Sequence, residues 1–139
     1  MPSQQLSSPN RVGRVSHGVN RVQFGRRLET MAARFLCKQG CKLLAQNYYC
    51  RRGELDLVML DPQGKVLFVE VRYRKNVGYG SAAESVAFRK QQRLRYAAAH
   101  YLRRYPRLAA RPCQFDIVAF DLMEGDAEPK LSWMRNAFQ

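Results

Sequence analysis

The chain has 139 residues, of which 46% are apolar, and this size and composition suit a single domain with one hydrophobic core. Its 24 Lys and Arg residues outnumber 11 Asp and Glu residues and give a formal net charge of +13. This charge favours a polyanionic partner, and nucleic acid is the first to consider, although a solvated basic surface has the same composition. No apolar run approaches the roughly 20 residues that span a bilayer, and the N-terminus lacks the apolar stretch of a signal peptide. We therefore expect a cytoplasmic protein that does not contact membranes.

Residues 1–20 are rich in Ser, Asn, Gln, Gly and Arg and contain almost no large apolar side chains. Such a segment cannot bury enough surface to offset the entropy that it would lose on ordering. We predict a flexible basic tail at 1–20, followed by a single domain that spans residues 21–139.

Apolar residues recur at helical spacing from about Val22 up to Gly40, which can supply a left-handed stop. The predicted apolar stripe of this first helix is Leu28, Met31, Ala32, Phe35 and Leu36. Three β-type runs come next and predict a meander, with a turn at residues 61–64 between the second run and the third: Cys41–Cys50, Glu54–Leu60 and Lys65–Arg74.

The second half of the chain begins with an irregular, Gly-rich segment at residues 75–84. Ser85 can then cap a second helix that ends near Arg104 and whose apolar stripe is Leu94, Ala97, Ala98, Tyr101 and Leu102. Two further strands are predicted at Cys113–Leu122 and Lys130–Met134. The elements together predict an α/β fold with a mixed β-sheet flanked by helices.

The four cysteines form no C-x-x-C pair, and neither histidine lies near any of them at zinc-ligand spacing. This arrangement favours reduced thiols over a zinc site or disulfides. We expect most of them to be buried: Cys37, Cys41, Cys50 and Cys113.

Two carboxylates stand out in the predicted hairpin because its turn length places them opposite each other. A three-residue loop at 62–64 pairs position 61 with 65, and a five-residue loop at 61–65 keeps the same register. This register pairs Asp56 with Glu70. Like charges at about 5 Å on a sheet are destabilising, so a cation must offset them. Mg²⁺ or Mn²⁺ held by both carboxylates satisfies this need, and so does a structural ion pair with Arg72 on the same face. The residues alone leave both interpretations open.

Glu29 is the only carboxylate in the first 53 residues, and several arginines surround it. On the first helix it borders the apolar stripe, so its side chain can point along the seam between the helix and the sheet. A surface ion pair with Arg26 is an equally good interpretation.

Several motifs in order resemble the YraN family: GELDLV at 53–58, LFVEVRYR at 67–74, Gly80, ESV at 84–86, Lys90 and NAF at 136–138. The resemblance runs from about Gly25 to the C-terminus. It implies a restriction-endonuclease-like core of the PD-(D/E)xK nuclease superfamily, close to Holliday-junction resolvases. It also implies Glu29, Asp56 and Glu70 as acidic metal-site residues, with one or two Mg²⁺ or Mn²⁺ ions as cofactor.

The family pattern places a basic residue two positions after Glu70, where this chain has Arg72 rather than the expected Lys. A guanidinium can stabilise a phosphate, but it is less suited than a compact ammonium to orient one attacking water. Lys90 lies on the apolar stripe of the second helix. It either reaches the site or extends from a buried face to solvent.

The resulting hypothesis is a metal-dependent endonuclease that hydrolyses DNA phosphodiester bonds, with branched or junction DNA as a suitable substrate. Glu29, Asp56, Glu70 and Arg72 are its candidate catalytic residues. The alternatives are a non-catalytic nucleic-acid-binding module of the same fold and an RNA-contacting role in a larger assembly. Resolvase-like enzymes usually act as dimers, which suggests a homodimer. Candidate contacts to the nucleic acid backbone are Arg51, Arg52, Arg74, Lys75, Arg89, Lys90, Arg93 and Arg95.

Overall fold

The computed structural model describes residues 17–76, 83 and 86–139. It contains the helices α1 (His17–Lys38), α2 (Phe88–Arg104) and α3 (Pro106–Ala109). Its strands are β1 (Lys42–Cys50), β2 (Gly53–Leu60), β3 (Val66–Lys75), β4 (Cys113–Leu122) and β5 (Lys130–Phe138). Among the described residues, neither long helix has the apolar length that a membrane crossing requires.

The five strands form one sheet in the order β1-β2-β3-β4-β5. All neighbours are antiparallel except β3 and β4, which run parallel because α2 and α3 connect them. Alternate residues of β3 and β4 belong to two separate hydrophobic clusters, one with α1 and one with α2, and β2 follows the same alternation from Leu57 to Met59. Since alternate strand residues point to opposite faces, the two helices cover opposite faces of the sheet. The predicted α/β class and mixed sheet are confirmed.

Helix α1 begins at His17, earlier than the predicted start near Val22. Residues 1–16 lie outside the described part of the chain. Leu28, Ala32 and Leu36 of the predicted stripe are buried, whereas Met31 is 45% exposed. At 100° per residue these buried positions define a face that is rotated away from Met31 and toward Glu29. The helix ends before Gly40, whose φ of +95° confirms the predicted left-handed stop.

The turn between β2 and β3 has the predicted register because Asp61 organises it. The Asp61 N–H donates to the carbonyl of Lys65, and the pairing continues from Leu60↔Val66 to Leu57↔Val69. The Asp61 carboxylate accepts hydrogen bonds from the N–H groups of Gln63 and Lys65 and from the Arg135 side chain. These bonds close the turn with an odd number of loop residues, on which the opposition of the two carboxylates depends.

Helix α2 ends at Arg104 as predicted and buries Leu94, Ala97, Ala98 and Tyr101 against the sheet. It begins at Phe88 with Ala87 at the cap position, whereas Ser85 lies outside the described residues. Gly53 at the start of β2 lies directly under the helix, since a Cβ atom there would be 2.3 Å from the carbonyl oxygen of Arg93. The absence of a side chain at Gly53 therefore sets the distance between α2 and the sheet.

Strand β5 is longer than predicted and continues past an irregular position at Asn136, whose φ is +50°. The fully buried carboxylate of Asp116 on β4 accepts hydrogen bonds from the N–H of Asn136, the Trp133 indole and the Gln114 amide. Three bonds to one carboxylate keep β5 paired through the irregularity. Because the bonds from Trp133 and Asn136 join residues 17 and 20 positions apart in sequence, the local pattern predicted only the first half of the strand.

All four cysteines are free thiols, which is the predicted state, but the expectation that most are buried was wrong for two of them. Cys41 is buried and Cys50 is half-buried. Cys37 lies on the outer surface of α1 and Cys113 at the exposed start of β4, where neighbouring elements do not cover them.

Candidate functional site

The two carboxylates lie where the hairpin strands β2 and β3 separate. Backbone pairing stops at Leu57↔Val69, and the next pair in the same register is Asp56 with Glu70. There the Asp56 Oδ2 atom accepts a hydrogen bond of 2.9 Å from the N–H of Val71. A side-chain oxygen thus occupies the place of a strand carbonyl, which satisfies the backbone donor and fixes the Asp56 carboxylate beside Glu70.

Glu70 is an almost completely buried carboxylate with an incomplete set of partners. It is 4% exposed, and its Oε2 atom lies 3.6 Å from Nη1 of Arg72 and 3.7 Å from Nζ of Lys90. Its other oxygen, Oε1, is buried and has no hydrogen-bond partner among the described residues. A buried acceptor without a partner is costly, so this oxygen is available to a ligand.

The surroundings of Glu70 raise its pKa to about 8. Burial is the largest cause, and the negative charge of Asp56 and a hydrogen bond shared with that carboxyl add to it. Lys90 and Arg72 lower the pKa, but at separations beyond 3.5 Å they do not outweigh the other effects. Glu70 therefore retains its proton over much of the neutral range.

Glu29 lies on α1, on the other side of the sheet from Lys90, and interacts electrostatically with Asp56. Its Oε1 atom is buried without a partner among the described residues. Burial, followed by the charge of Asp56, raises its pKa to about 7, and Glu54 acts in the same direction. A hydrogen bond with Asn47 and the charge of Arg26 oppose the shift. Glu29 is therefore part of the acidic group and not a simple surface partner of Arg26.

The sequence prediction missed Asn47, which lies on β1 in register with Asp56, between the pairs Gln46↔Leu57 and Tyr48↔Leu55. Its φ of +54° is unusual within a strand, and Asn tolerates this left-handed conformation better than most residues do. The conformation accompanies the hydrogen bond between its side chain and Glu29. The local signal for this role was weak, because Asn47 follows another polar residue, Gln46, in the strand.

The carboxylate oxygens of this site are of the kind that binds a hard divalent cation, but they supply only part of the ligands that such a cation needs. Glu70 and Glu29 each have one buried carboxylate oxygen without a hydrogen-bond partner among the described residues. The negative charge of Asp56 raises the pKa of both residues. Carboxylate oxygens are the ligands that Mg²⁺ and Mn²⁺ prefer, and Mg²⁺ commonly takes only one or two of them together with water and substrate phosphate. The described residues contain no group of three or more His, Cys, Asp or Glu side chains that is arranged to hold a metal, so Glu29, Asp56 and Glu70 do not form a complete ligand set by themselves.

The sequence left open whether Lys90 reaches the carboxylates or extends to solvent, and the structure places its ammonium beside Glu70. Lys90 lies on α2, and its ammonium contacts Glu70 rather than extending only to solvent. Arg72 contacts the same oxygen of Glu70, so the ion pair that was the alternative to a metal site is also present. Both cations are about one-third exposed, and a bound phosphate can therefore reach them.

Four of the arginines predicted to contact nucleic acid line one groove of about 620 Å³, together with Gln92 and Tyr96: Arg51, Arg52, Arg89 and Arg93. Arg74 does not line it, because its guanidinium makes two hydrogen bonds of 2.7 Å with Asp121. Arg95 is likewise engaged by the carbonyl of Gln139. Lys75 is exposed at the end of β3, away from the lining of this groove.

Comparisons with other proteins identify relatives over most of the chain. The model of the uncharacterised protein family UPF0102 matches residues 28–120. A UPF0102 protein of Pseudomonas savastanoi pv. phaseolicola is 50% identical over 119 residues, which are 86% of this chain and 95% of that protein. A UPF0102 protein of Pseudomonas fluorescens is 52% identical over 114 residues, which are 82% of this chain and 91% of that protein. These matches span Glu29, Asp56, Glu70 and Lys90, and they confirm the resemblance drawn from the motifs. The chain therefore belongs to the uncharacterised protein family UPF0102, the YraN family.

Proposed function

We propose that this protein is a metal-dependent endonuclease that hydrolyses phosphodiester bonds of DNA, with branched or junction DNA as its substrate. The observation that carries the proposal is the buried Glu70 carboxylate beside Asp56, with one oxygen unpartnered among the described residues. Two cationic side chains within 4 Å of the other oxygen support a site for an anionic substrate. The groove lined by four arginines supplies a matching surface for the nucleic acid backbone.

In this proposal Asp56 and Glu70 would hold one or two Mg²⁺ or Mn²⁺ ions, and Glu29 would act on the ions through water. A bound ion of this kind lowers the pKa of water and neutralises charge on a phosphate. The Lys90 ammonium is a compact donor that can orient one water, a task for which the guanidinium of Arg72 is poorly shaped. Arg72 instead stabilises the negative charge that develops on the phosphate oxygens.

The fold supports a finer assignment, which is part of the same proposal. A mixed sheet with α1 on one face and α2 on the other is the arrangement expected for a restriction-endonuclease-like core. The acidic residues lie where the second and third strands separate, and the second helix brings a lysine to them. We therefore assign the chain to the PD-(D/E)xK class, with the lysine contributed by α2.

Cleavage of labelled DNA tests the proposal. Four-way junctions, flaps and linear duplexes are incubated with Mg²⁺ or Mn²⁺ and with the wild type, Asp56→Asn or the control Glu124→Gln, which changes an exposed loop carboxylate. We expect the wild type and Glu124→Gln to cleave branched DNA and Asp56→Asn to lose at least about 100-fold in rate. Equal cleavage by Asp56→Asn would contradict the assignment.

A second function has specific support, namely a non-catalytic nucleic-acid-binding module of the same fold. The described residues contain no three-ligand metal group, and cations already surround Glu70. This alternative predicts tight binding of nucleic acid without turnover, and no Mn²⁺ binding that depends on Glu70. Comparison of structured RNA with junction DNA in the same binding assay also tests the role in an RNA-associated assembly.

A homodimer in the cytoplasm is a further part of the proposal. Two copies of the site would allow cuts on two strands of one junction, which is how resolvase-like enzymes usually act. Sedimentation of the chain alone and with a four-way junction tests this part. Two protein copies per junction are expected, and a single copy at saturation would contradict it.

A further inference from the structure

The arginine groove lies between α2 and the turn that joins β1 to β2. Arg51 and Arg52 come from the turn, and the other lining residues come from one side of the helix: Arg89, Gln92, Arg93 and Tyr96. The helix positions are spaced i, i+3, i+4 and i+7, so they form one continuous stripe. Four guanidinium groups and no carboxylate are among the described residues that line the groove, which suits a polyanion.

The groove extends into a second cavity of about 380 Å³, which also contacts Arg51, Arg52 and Tyr96. Its further lining residues are Cys50, His100 and Arg103. The stripe on α2 therefore continues from Arg89 to Arg103, a distance of about 21 Å along the helix, or roughly six nucleotides of a stacked strand.

A planar platform lies where the two cavities meet. The ring of Tyr96 is 49% exposed, although aromatic rings are usually packed in the core. The guanidinium carbon of Arg52 lies over this ring, 4.8 Å from its centroid. Nucleic acid bases stack on tyrosine rings and on guanidinium planes, so the pair offers a surface for a base as well as charges for the phosphates.

The groove and the carboxylate site draw on neighbouring residues of α2, because Arg89 lines the groove and the ammonium of the next residue, Lys90, is 3.7 Å from Glu70. We propose that the groove binds a single-stranded segment of DNA whose backbone continues into the carboxylate site. The substrate is then DNA with an unpaired arm, a conclusion that rests on the proposed nuclease function. Bases in a duplex cover one another's faces, so an exposed stacking platform distinguishes an unpaired strand from a duplex.

The test measures binding by fluorescence anisotropy in EDTA, where cleavage does not interfere. The full chain is titrated into a labelled 12-nucleotide DNA strand, its duplex and the RNA strand of the same sequence. We expect the DNA strand to bind more tightly than the duplex and the RNA. Tyr96→Leu should weaken binding of the DNA strand by about fivefold or more, because it removes the stacking surface. Tyr96→Phe keeps the ring and should bind like the wild type.

A charge comparison completes the test. Affinity for the DNA strand falls as salt rises, and Arg93→Gln should make the slope of log affinity against log salt less steep by about 0.7, the value for one lost phosphate contact. The matched control Arg107→Gln removes an exposed charge of α3 that lines neither cavity, and its slope should equal that of the wild type.

Three results would overturn the inference: tighter binding of the duplex, tighter binding of the RNA, or equal losses for the DNA strand and the duplex in Tyr96→Leu. Failure of the nuclease proposal gives a different result from failure of the groove proposal. In that case single-strand binding in EDTA depends on Tyr96, but branched DNA is not cleaved when Mg²⁺ is added. The opposite result, cleavage of branched DNA that Tyr96→Leu does not change in rate or KM, would retain the nuclease and reject the groove.

Discussion

Glu70 retains its proton near neutral pH because burial and the neighbouring Asp56 both oppose its ionisation. An unfolded chain does not impose these effects, so the folded protein binds this proton more tightly than the unfolded chain does. The resulting stability is complete below about pH 4.5, the ordinary pKa of Glu, and is lost as the pH rises through about 8.

We therefore expect the free energy of unfolding of the wild type to fall between pH 4.5 and pH 8, with a contribution from Glu70 of at most about 1.4 kcal/mol per pH unit. Glu70→Gln cannot ionise and should flatten this dependence. Urea denaturation at a series of pH values measures it. Glu124→Gln, in an exposed loop, should leave the slope of the wild type unchanged. An identical slope in Glu70→Gln would mean that the group does not titrate in this range.

The ammonium of Lys90, on α2, lowers the pKa of Glu70. Removal of its charge in Lys90→Met should raise the pKa of Glu70 above that of the wild type, because Lys90 is the larger of the two cationic effects that lower it. Carbon-detected NMR of the Glu70 carboxyl, assigned with Glu70→Gln, measures the midpoint. We also expect DNA cleavage to slow by about 100-fold or more. Lys130→Met is the control, since Lys130 lies exposed on β5. An unmoved midpoint would place Lys90 outside the site.

At the scale of elements, the turn between β2 and β3 determines whether Asp56 and Glu70 face each other. Burial alone would raise the pKa of Asp61, but hydrogen bonds from the Lys65 N–H, the Arg135 side chain and the Gln63 N–H outweigh it, and the pKa is lowered. The turn is therefore fixed by an ionised carboxylate with three donors.

Asp61→Ala leaves these donors without their acceptor and should reduce the free energy of unfolding at pH 7 by about 2–3 kcal/mol. Gln63→Ala is the matched control in the same turn. It keeps the backbone donor and should stay within about 0.5 kcal/mol of the wild type. Chemical denaturation measures both variants. A loss below about 1 kcal/mol in Asp61→Ala would show that the turn does not depend on this carboxylate.

The contact between β2 and α2 sets the position of Lys90. Gly53→Ala places a methyl group 2.3 Å from the carbonyl oxygen of Arg93, so the helix must move. We expect a loss of about 1–3 kcal/mol in stability, together with slower DNA cleavage because Lys90 moves away from Glu70.

Gly25→Ala is the control for this change, because a Cβ atom at Gly25 meets nothing within 4 Å. A helical Ala in open space should stabilise the protein by up to about 1 kcal/mol and leave cleavage unchanged. Thermal unfolding and cleavage rates are measured for both variants. Equal stability of Gly53→Ala and the wild type would contradict the close packing of α2.

At the scale of the whole molecule, local patterns predicted those features that depend on local chemistry. The strands β2 to β4 follow from alternation and β-branched residues, and their bounds agree with the prediction within about one residue. The opposition of Asp56 and Glu70 follows from the length of a turn of known type. In each case the controlling residues are close in sequence.

The features that local patterns missed depend on contacts between distant residues. The role of Asn47 requires both α1 and β1 in place, and the pair Arg74–Asp121 joins residues on two parallel strands. Met31 is exposed because contact with the sheet sets the rotation of α1, and the same rotation turns Glu29 inward. Helical spacing placed Lys90 on the correct face, but only the packing of α2 over Gly53 shows that it reaches Glu70.

The proposed nuclease requires Asp56 and Glu70 to bind a divalent cation. Isothermal titration of Mn²⁺ into the wild type and Glu70→Gln at pH 7, in two buffers of different ionisation enthalpy, measures both affinity and released protons. Because the pKa of Glu70 is about 8, we predict that the wild type binds Mn²⁺ with release of about one proton and that Glu70→Gln does not bind. Absence of binding by the wild type, or equal binding by both proteins, would contradict the account.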